Sequence, residues 1–400
     1  MSPWPVLVLL TLAHGAGAFA VLAVAPLAPF LVDTLRLSRV AAGFFLPAAY
    51  LGGVLMSLPA GWLTDRLGVR FTLSSGLGVI AVMIAVASAL PGLPLFLACL
   101  VLAGFGFSVL NPATGRGIVE WFLPRRRGVA MGIKQTGLTL GGVAGALVLP
   151  SVAHAAGLRR ALLVAAAVAL VSGLVVALAY RAPAATTPVV AAPRPRLREV
   201  GAFLRRPGLL VVFGSGLALS VAQSSLLAYL ALYAKETFGI SAVAAAHLLA
   251  LAQLGGTASR LAGGVVSDRY FGGRRRPGVV LTALIGAACY VAFAFGDTLP
   301  VMLVRALAFV AGIGAFGWVG LYFALVAEVG GARYAGVLTG VATMFAWSGM
   351  LVGPPLFGLV LELTQSYRAP WLALAVVGLA VAMTLPRPRP LVERAIHVAA

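Results

Sequence analysis

The sequence predicts an all-α membrane protein of twelve transmembrane helices arranged as two six-helix halves. Three observations lead there. Hydrophobic residues make up 61% of the 400 residues, charged residues only 10%, and the mean hydropathy is +1.05. A soluble fold of that length needs charged cover that this composition does not supply. The apolar residues fall into stretches of about 20, the helix length that crosses a hydrocarbon core. The chain also repeats short patterns at offsets of 203 and 208 residues.

In order, the apolar stretches lie at 5–32, 40–63, 71–90, 94–121, 128–150, 159–180, 208–234, 241–266, 277–296, 300–327, 335–362 and 370–385. Helices and closed barrels are the only structures that span a bilayer, and barrel-type alternation is absent, so each stretch reads as a helix. The first resembles a signal peptide, with small residues around Ala18 and Ala20. It lacks a basic leading region and stays apolar from Val21 to Val32, so we expect a span rather than a cleaved leader.

Basic residues orient the bundle. With both termini cytoplasmic, the inner loops and tail hold 19 of the 29 Arg and Lys, including Arg66, Arg70, Arg125–Arg127, Arg269, Arg274–Arg276 and Arg333. The outer loops hold six: Arg36, Arg39, Arg159, Arg160, Lys235 and Arg368. The opposite topology would violate the positive-inside rule. The stretch from Arg181 to Arg206 carries six Arg and four Pro, too polar to pack a core. It reads as a basic cytoplasmic linker at 182–207, lying against anionic inner-leaflet lipid. It separates an N-terminal half, 1–181, from a C-terminal half, 208–386, with 387–400 as a cytoplasmic tail. A net charge of +19 would suit nucleic acid, but the arginines sit between apolar runs, so no nucleic-acid partner is expected. Cys99 and Cys289 are isolated in apolar stretches, which implies neither a disulfide framework nor a metal cluster. No cofactor is expected.

Gly61-Trp62-Leu63-Thr64-Asp65-Arg66 follows span two, and Gly264-Val265-Val266-Ser267-Asp268-Arg269 follows span eight, 203 residues on. Glu120, Gly132, Gly141 and Gly145 are matched by Glu328, Gly340, Gly349 and Gly353, at an offset of 208. Two matches in one order indicate duplication, and parallel six-helix repeats are a transporter architecture. The run from Gly61 through Asp65, Arg66 and Gly68 to Arg70 resembles the loop 2–3 signature of the major facilitator superfamily, G-x-L-x-D-R-x-G-x-R/K. The second copy differs by placing Phe271 and Gly273 before Arg274–Arg276. The resemblance implies a secondary transporter acting as a monomer in a bacterial inner membrane. In it Gly61, Asp65, Arg66, Gly68, Arg70, Asp268 and Arg269 would gate, with Glu120 and Glu328 as partners of the loop arginines. A plain tight turn with solvated charges is the alternative. The segment Arg127 to Gly137, with Lys134-Gln135-Thr136, is similar to bacterial organic-anion or cyanate-type permeases. The antiporter motif G-P-x-x-G-G is incomplete, since Gly137-Leu138 stands where it needs Gly-Pro.

Charges inside a membrane are costly and point to function. Arg116, Lys134, Arg260 and Arg305 qualify. Arg260 is expected to serve the gate, and Arg305 lies near enough to a span end to snorkel outward. Arg116 and Lys134 lie on neighbouring spans four and five, seven or eight residues from their shared loop. Either could pair with Glu120, which is i+4 from Arg116. One carboxylate cannot neutralise two cations, so an anionic substrate is the expected visitor. Asn111, Gln135, His14, Gln223, Tyr229 and Trp347 complete the candidate substrate site, although a lone polar side chain in a span also serves as helix–helix glue. No midplane carboxylate is available for a proton relay of the kind expected in cation exporters.

The leading expectation is a carrier of a small organic anion, with proton symport open. Export of a cationic or amphiphilic compound with proton coupling is the rival. An enzyme is not expected, because neither H-E-x-x-H, a serine-hydrolase elbow nor a nucleotide loop is present.

Overall fold

The structure is a computed structural model that describes residues 3–89, 92–183 and 207–386. Except for its two ends, the linker expected at 182–207 lies outside the described residues, as does the tail at 387–400. The described chain is helical, with no strand among the described residues. Eleven stretches of described helix are long and apolar enough to cross a membrane. A twelfth apolar helix has 17 residues, at the lower limit for a span. Twelve membrane helices match the hydropathy reading.

The first six spans are built from eight helices: α1 (Pro3–Val21), α2 (Ala28–Leu35), α3 (Arg39–Ala42), α4 (Phe45–Ala87), α5 (Leu93–Ser108), α6 (Leu110–Trp121), α7 (Pro124–Ala156) and α8 (Leu158–Ala179). The last six use α9 (Pro207–Phe238), α10 (Ala242–Tyr270), α11 (Arg275–Ala294), α12 (Val301–Thr364) and α13 (Arg368–Thr384).

Two predicted spans are not single helices, and proline explains both. The stretch 5–32 breaks after α1 into a 3-10 turn, Leu22–Val24, and then α2. Pro26 has no N–H for the Leu22 carbonyl and its ring crowds that turn. The stretch 94–121 breaks at Val109, between α5 and α6, because Pro112 cannot bond back to Ser108. Conversely, α4 runs through the predicted loop 2–3 with one non-helical residue, Gly68 at φ 77°. A side chain there would meet open space, so the requirement for glycine is its left-handed backbone alone.

The chain divides into two compact units. The first comprises Met1–Pro188, Leu227–Leu254 and Pro354–Gln365. Within it α1 packs on α7 and α8, and α4 on α5 and α8. The α1–α7 crossing is made backbone to backbone. A Cβ on Gly137 would lie 2.2 Å from the Thr11 carbonyl oxygen, and one on Gly141 2.1 Å from that of Gly15. The second unit comprises Val189–Leu226, Gly255–Gly353 and Ser366–Ala400. Its core gathers Phe213, Trp318, Tyr322, Leu338 and Ala342, and α11 packs on α13. Gly349, the repeat mate of Gly141, makes the equivalent approach, 2.3 Å from the Leu217 carbonyl oxygen. The repeated pair Gly141 and Gly349 thus marks the crossing point of equivalent helix pairs.

Candidate functional site

Lys134 lies ten residues into α7, Asn111 ten residues before the end of α6, and His14 eleven residues into α1. At 1.5 Å per residue each sits about 15–17 Å along its helix from the same, arginine-rich end, and all three fall within candidate membrane spans. The three helices pack on one another in pairs. Lys134 is 3% exposed and donates to Asn111 Oδ1 at 2.5 Å. It has no carboxylate partner among the described residues. Asn111 is exposed, at the break in span four, where Pro112 leaves the Ser108 carbonyl without its helical donor. Irregular backbone at membrane depth is tolerated where it is buried in protein or lines a watery cavity. Gln135 is half-buried beside Lys134, and His14 is 3% exposed with Nδ1 lacking a hydrogen-bond partner among the described residues.

Arg116 is engaged elsewhere. Its Nε donates to Glu120 Oε1 at 2.7 Å, and its Nη1 to Asp65 Oδ1 at 3.0 Å and the Thr64 carbonyl at 2.9 Å. Glu120 also accepts from the Tyr180 hydroxyl at 3.0 Å. Burial first, and then the Glu120 charge, push the Tyr180 phenol well above its ordinary pKa, so it stays a donor. Both charge partners of the cation that sequence grouped with Lys134 are therefore among the residues expected to gate.

The second unit repeats this bridge with a different arginine. Arg275 donates to Asp268 at 2.6 Å and to Glu328 at 3.0 Å. Asp268 and Glu328 are the repeat mates of Asp65 and Glu120, but Arg275 opens α11, whereas Arg116 lies in α6. Arg70 Nε caps α8 through the Ala177 carbonyl at 2.5 Å, and Arg276 Nε caps α13 through that of Leu385 at 2.7 Å. Both place a cation on a helix C-terminus. Arg66 lies over the Trp62 ring at 4.7 Å, Arg269 is exposed, and a Cβ at Gly61 would touch nothing.

The remaining candidates are not brought to Lys134 by any described contact. Tyr229 is fully buried, stacks on Phe357 and donates to the Arg39 carbonyl at 2.7 Å. Gln223 and Trp347 belong to the second unit: Gln223 Oε1 is buried without a partner among the described residues, and Trp347 packs at the edge of that unit's core. Arg260 donates to the Phe316 carbonyl, and Arg305 is exposed.

Sequence reasoning missed a second cluster, in the first unit at the other end of the bundle. Lys235 pairs with Asp33 at 2.5 Å, Arg39 with Glu236 at 2.9 Å, and Arg39 reaches Gln365 at 3.4 Å. The pairs join residues about 200 or more positions apart, and no spacing within one stretch signals them. The Asn111-Pro112 step, in contrast, was readable as a break. Among the described residues no group of three or more His, Cys, Asp or Glu could hold a metal ion.

The sequence model of the Major Facilitator Superfamily matches residues 7–354. An uncharacterised MFS-type transporter of Mycobacterium tuberculosis is 27% identical over 348 residues, covering 84% of this chain and 76% of that protein. A probable sulfoacetate transporter of Cupriavidus necator is 28% identical over 379 residues, covering 86% and 84%. The hexuronate transporter of Bacillus subtilis is 22% identical over 381 residues, covering 90% and 87%. A solved bacterial homologue of the human lysosomal transporter Spinster, inward-facing and occupied, superposes with a TM-score of 0.77 at 19% identity, covering 95% of both chains. Family signature, membrane helices and fold agree: this chain is a multi-pass membrane transporter, not an enzyme, and belongs to the Major Facilitator Superfamily.

Proposed function

We propose that this transporter moves a small organic anion by alternating access, with Lys134 as the anchor for the anionic group. Asn111, Gln135 and His14 complete the recognition, and Gln223 is the candidate of the second unit. One observation carries the reading: a lysine within a membrane span, 3% exposed, whose described partner is a neutral amide. A buried ammonium with no counter-charge is unfavourable, and an anion supplies that charge. Glu120, the competing partner, is occupied by Arg116 and Tyr180. At the repeat offset of 208, Lys134 corresponds to Ala342, so the first repeat alone carries the cation. Two curated relatives are named for anions, sulfoacetate and hexuronate. The bridges Asp65–Arg116–Glu120 and Asp268–Arg275–Glu328 act as gates, their ion pairs weighting one conformation over the other. Gly61, Arg66, Gly68, Arg70 and Arg269 shape those loops. The protein works as a monomer, its basic loops against anionic lipid.

The test is binding and vesicle uptake of sulfoacetate, glucuronate, malonate, acetate and cationic dyes by the purified chain. Lys134→Gln abolishes anion binding, a loss of at least about tenfold for a buried charge contact, whereas Arg305→Gln leaves it intact. If Glu120→Gln in addition restores both binding and stability, Lys134 is scaffold and the reading falls.

A further inference from the structure

His14 is 3% exposed, yet its Nδ1 has no hydrogen-bond partner among the described residues. Five helices pack on α1, and together they define its electrical surroundings. From α7 comes Lys134, three residues before the Gly137 that meets the Thr11 carbonyl, with Arg126 and Arg127 in the first turn of the helix and His154 at its far end. From α6 come Arg116 and Glu120, which close on each other and on Asp65 of α4. The remaining charges of α4, Arg66 and Arg70, lie at that same end, with Tyr50 as the other titratable group on the helix. α5 offers only Cys99, and α8 only Arg159 and Arg160, in its first turn at the far end. His14 and Lys134 therefore share the middle of the first unit with no carboxylate between them among the described residues.

That arrangement has an unequal response to anions of different charge. A monoanion cancels the Lys134 charge and leaves the site neutral. A dianion leaves one negative charge at mid-membrane depth, where an uncompensated charge is costly. A proton on an adjacent imidazole removes that cost, and histidine is the side chain that changes charge near neutral pH.

We propose that His14 is the second cation of this site: it takes up one proton as a doubly charged anion binds and returns it as the anion leaves. A dianion and a proton then cross together, which makes the preferred substrate a small dianion. The step forms one N–H bond with a proton from the aqueous side and breaks it on release, and nothing is oxidised or reduced. The inference rests on Lys134 as the anion anchor.

Calorimetric titration of the purified full chain at one pH, in HEPES and in Tris, counts the protons taken up per anion bound. The probes are sulfoacetate, malonate and oxalate as dianions, and acetate, glycolate and glucuronate as monoanions. Dianions bind with uptake of about one proton and monoanions with none. His14→Gln removes the uptake and lowers dianion affinity at least about tenfold, more than it lowers monoanion affinity. Should His14→Gln not fold, the wild-type proton count decides alone. Dianion binding that needs Lys134 but takes up no proton overturns this inference and leaves the anion reading standing. Anion binding indifferent to Lys134→Gln, or absent across all six probes, overturns the anion reading and this inference with it.

Discussion

The arginine bridge of the first unit predicts that its two carboxylates separate stability from transport. Glu120 has a side chain 10% exposed and holds both Arg116, at 2.7 Å, and Tyr180, at 3.0 Å. Asp65 has a side chain 78% exposed and meets the same guanidinium at 3.0 Å. Glu120→Gln keeps the shape and removes the charge. The ion pair then becomes a cation-to-amide hydrogen bond and the bond from Tyr180 a neutral one, a loss of about 1–2 kcal/mol after allowing for an arginine one-third exposed. Asp65→Asn removes a solvent-screened pair, for which less than about 1 kcal/mol is expected. That is too little to unfold the protein but shifts a two-conformer ratio by up to about fivefold. Thermal unfolding of the purified variants, beside anion counterflow in reconstituted vesicles, reads both quantities. Glu120→Gln lowers the unfolding midpoint by several degrees. Asp65→Asn leaves the midpoint nearly in place, slows counterflow several-fold, and keeps anion affinity within a few-fold. Wild-type counterflow in Asp65→Asn, or a midpoint loss equal to that of Glu120→Gln, refutes this division of labour.

Other consequences follow from contacts already described. Gly137→Ala drives a methyl into the Thr11 carbonyl and costs about 1–3 kcal/mol by overpacking, whereas Gly132→Ala meets nothing and is neutral or slightly stabilising. The two midpoints, measured side by side, check the crossing. Asp33→Lys breaks the pair with Lys235 and changes counterflow rate, and adding Lys235→Asp restores it. Failure of the double swap to recover the rate removes the pair from the cycle. Pro112→Ala supplies the missing N–H to Ser108, straightens span four and weakens anion binding by moving Asn111. Anion affinity equal to wild type means the break does not position Asn111.

Hydropathy and charge made the membrane helices and their orientation legible, because both are properties of whole stretches and survive errors of a few residues. The repeated glycines were legible as a repeat, but not as the α1–α7 and α9–α12 crossings, since only packing shows which backbones meet. Lys134 stood out through its rarity, as one of two lysines, and Asn111 through its depth. Arg116 was grouped with Lys134 because both lie equally far from one loop. What separates them is Asp65, 51 residues earlier, and a linear spacing cannot show that a second carboxylate arrives from another helix. The broken first and fourth spans were signalled by Pro26 and Pro112, which an apolar-run criterion passes over because proline inside a run does not lower its hydropathy enough to end it. The ion pairs of Asp33, Arg39, Lys235 and Glu236 were invisible for the same reason as the Asp65 contact: each joins helices that only the folded chain brings together.

The two arginine bridges also carry a record of descent. Had a single ancestral half possessed the whole device, its duplication would have left an arginine at equivalent positions of both copies. At the offset that relates Glu120 to Glu328, the counterpart of Arg116 is Ala324, and Arg275 follows residues inserted into the second copy alone. The acidic pair is the part the two copies share, and the basic residue comes once from a helix interior and once from a helix start. The position of the basic residue can therefore differ between the copies while the acidic frame stays fixed. That freedom lets the balance between the protein's conformations drift in one half without a matching change in the other.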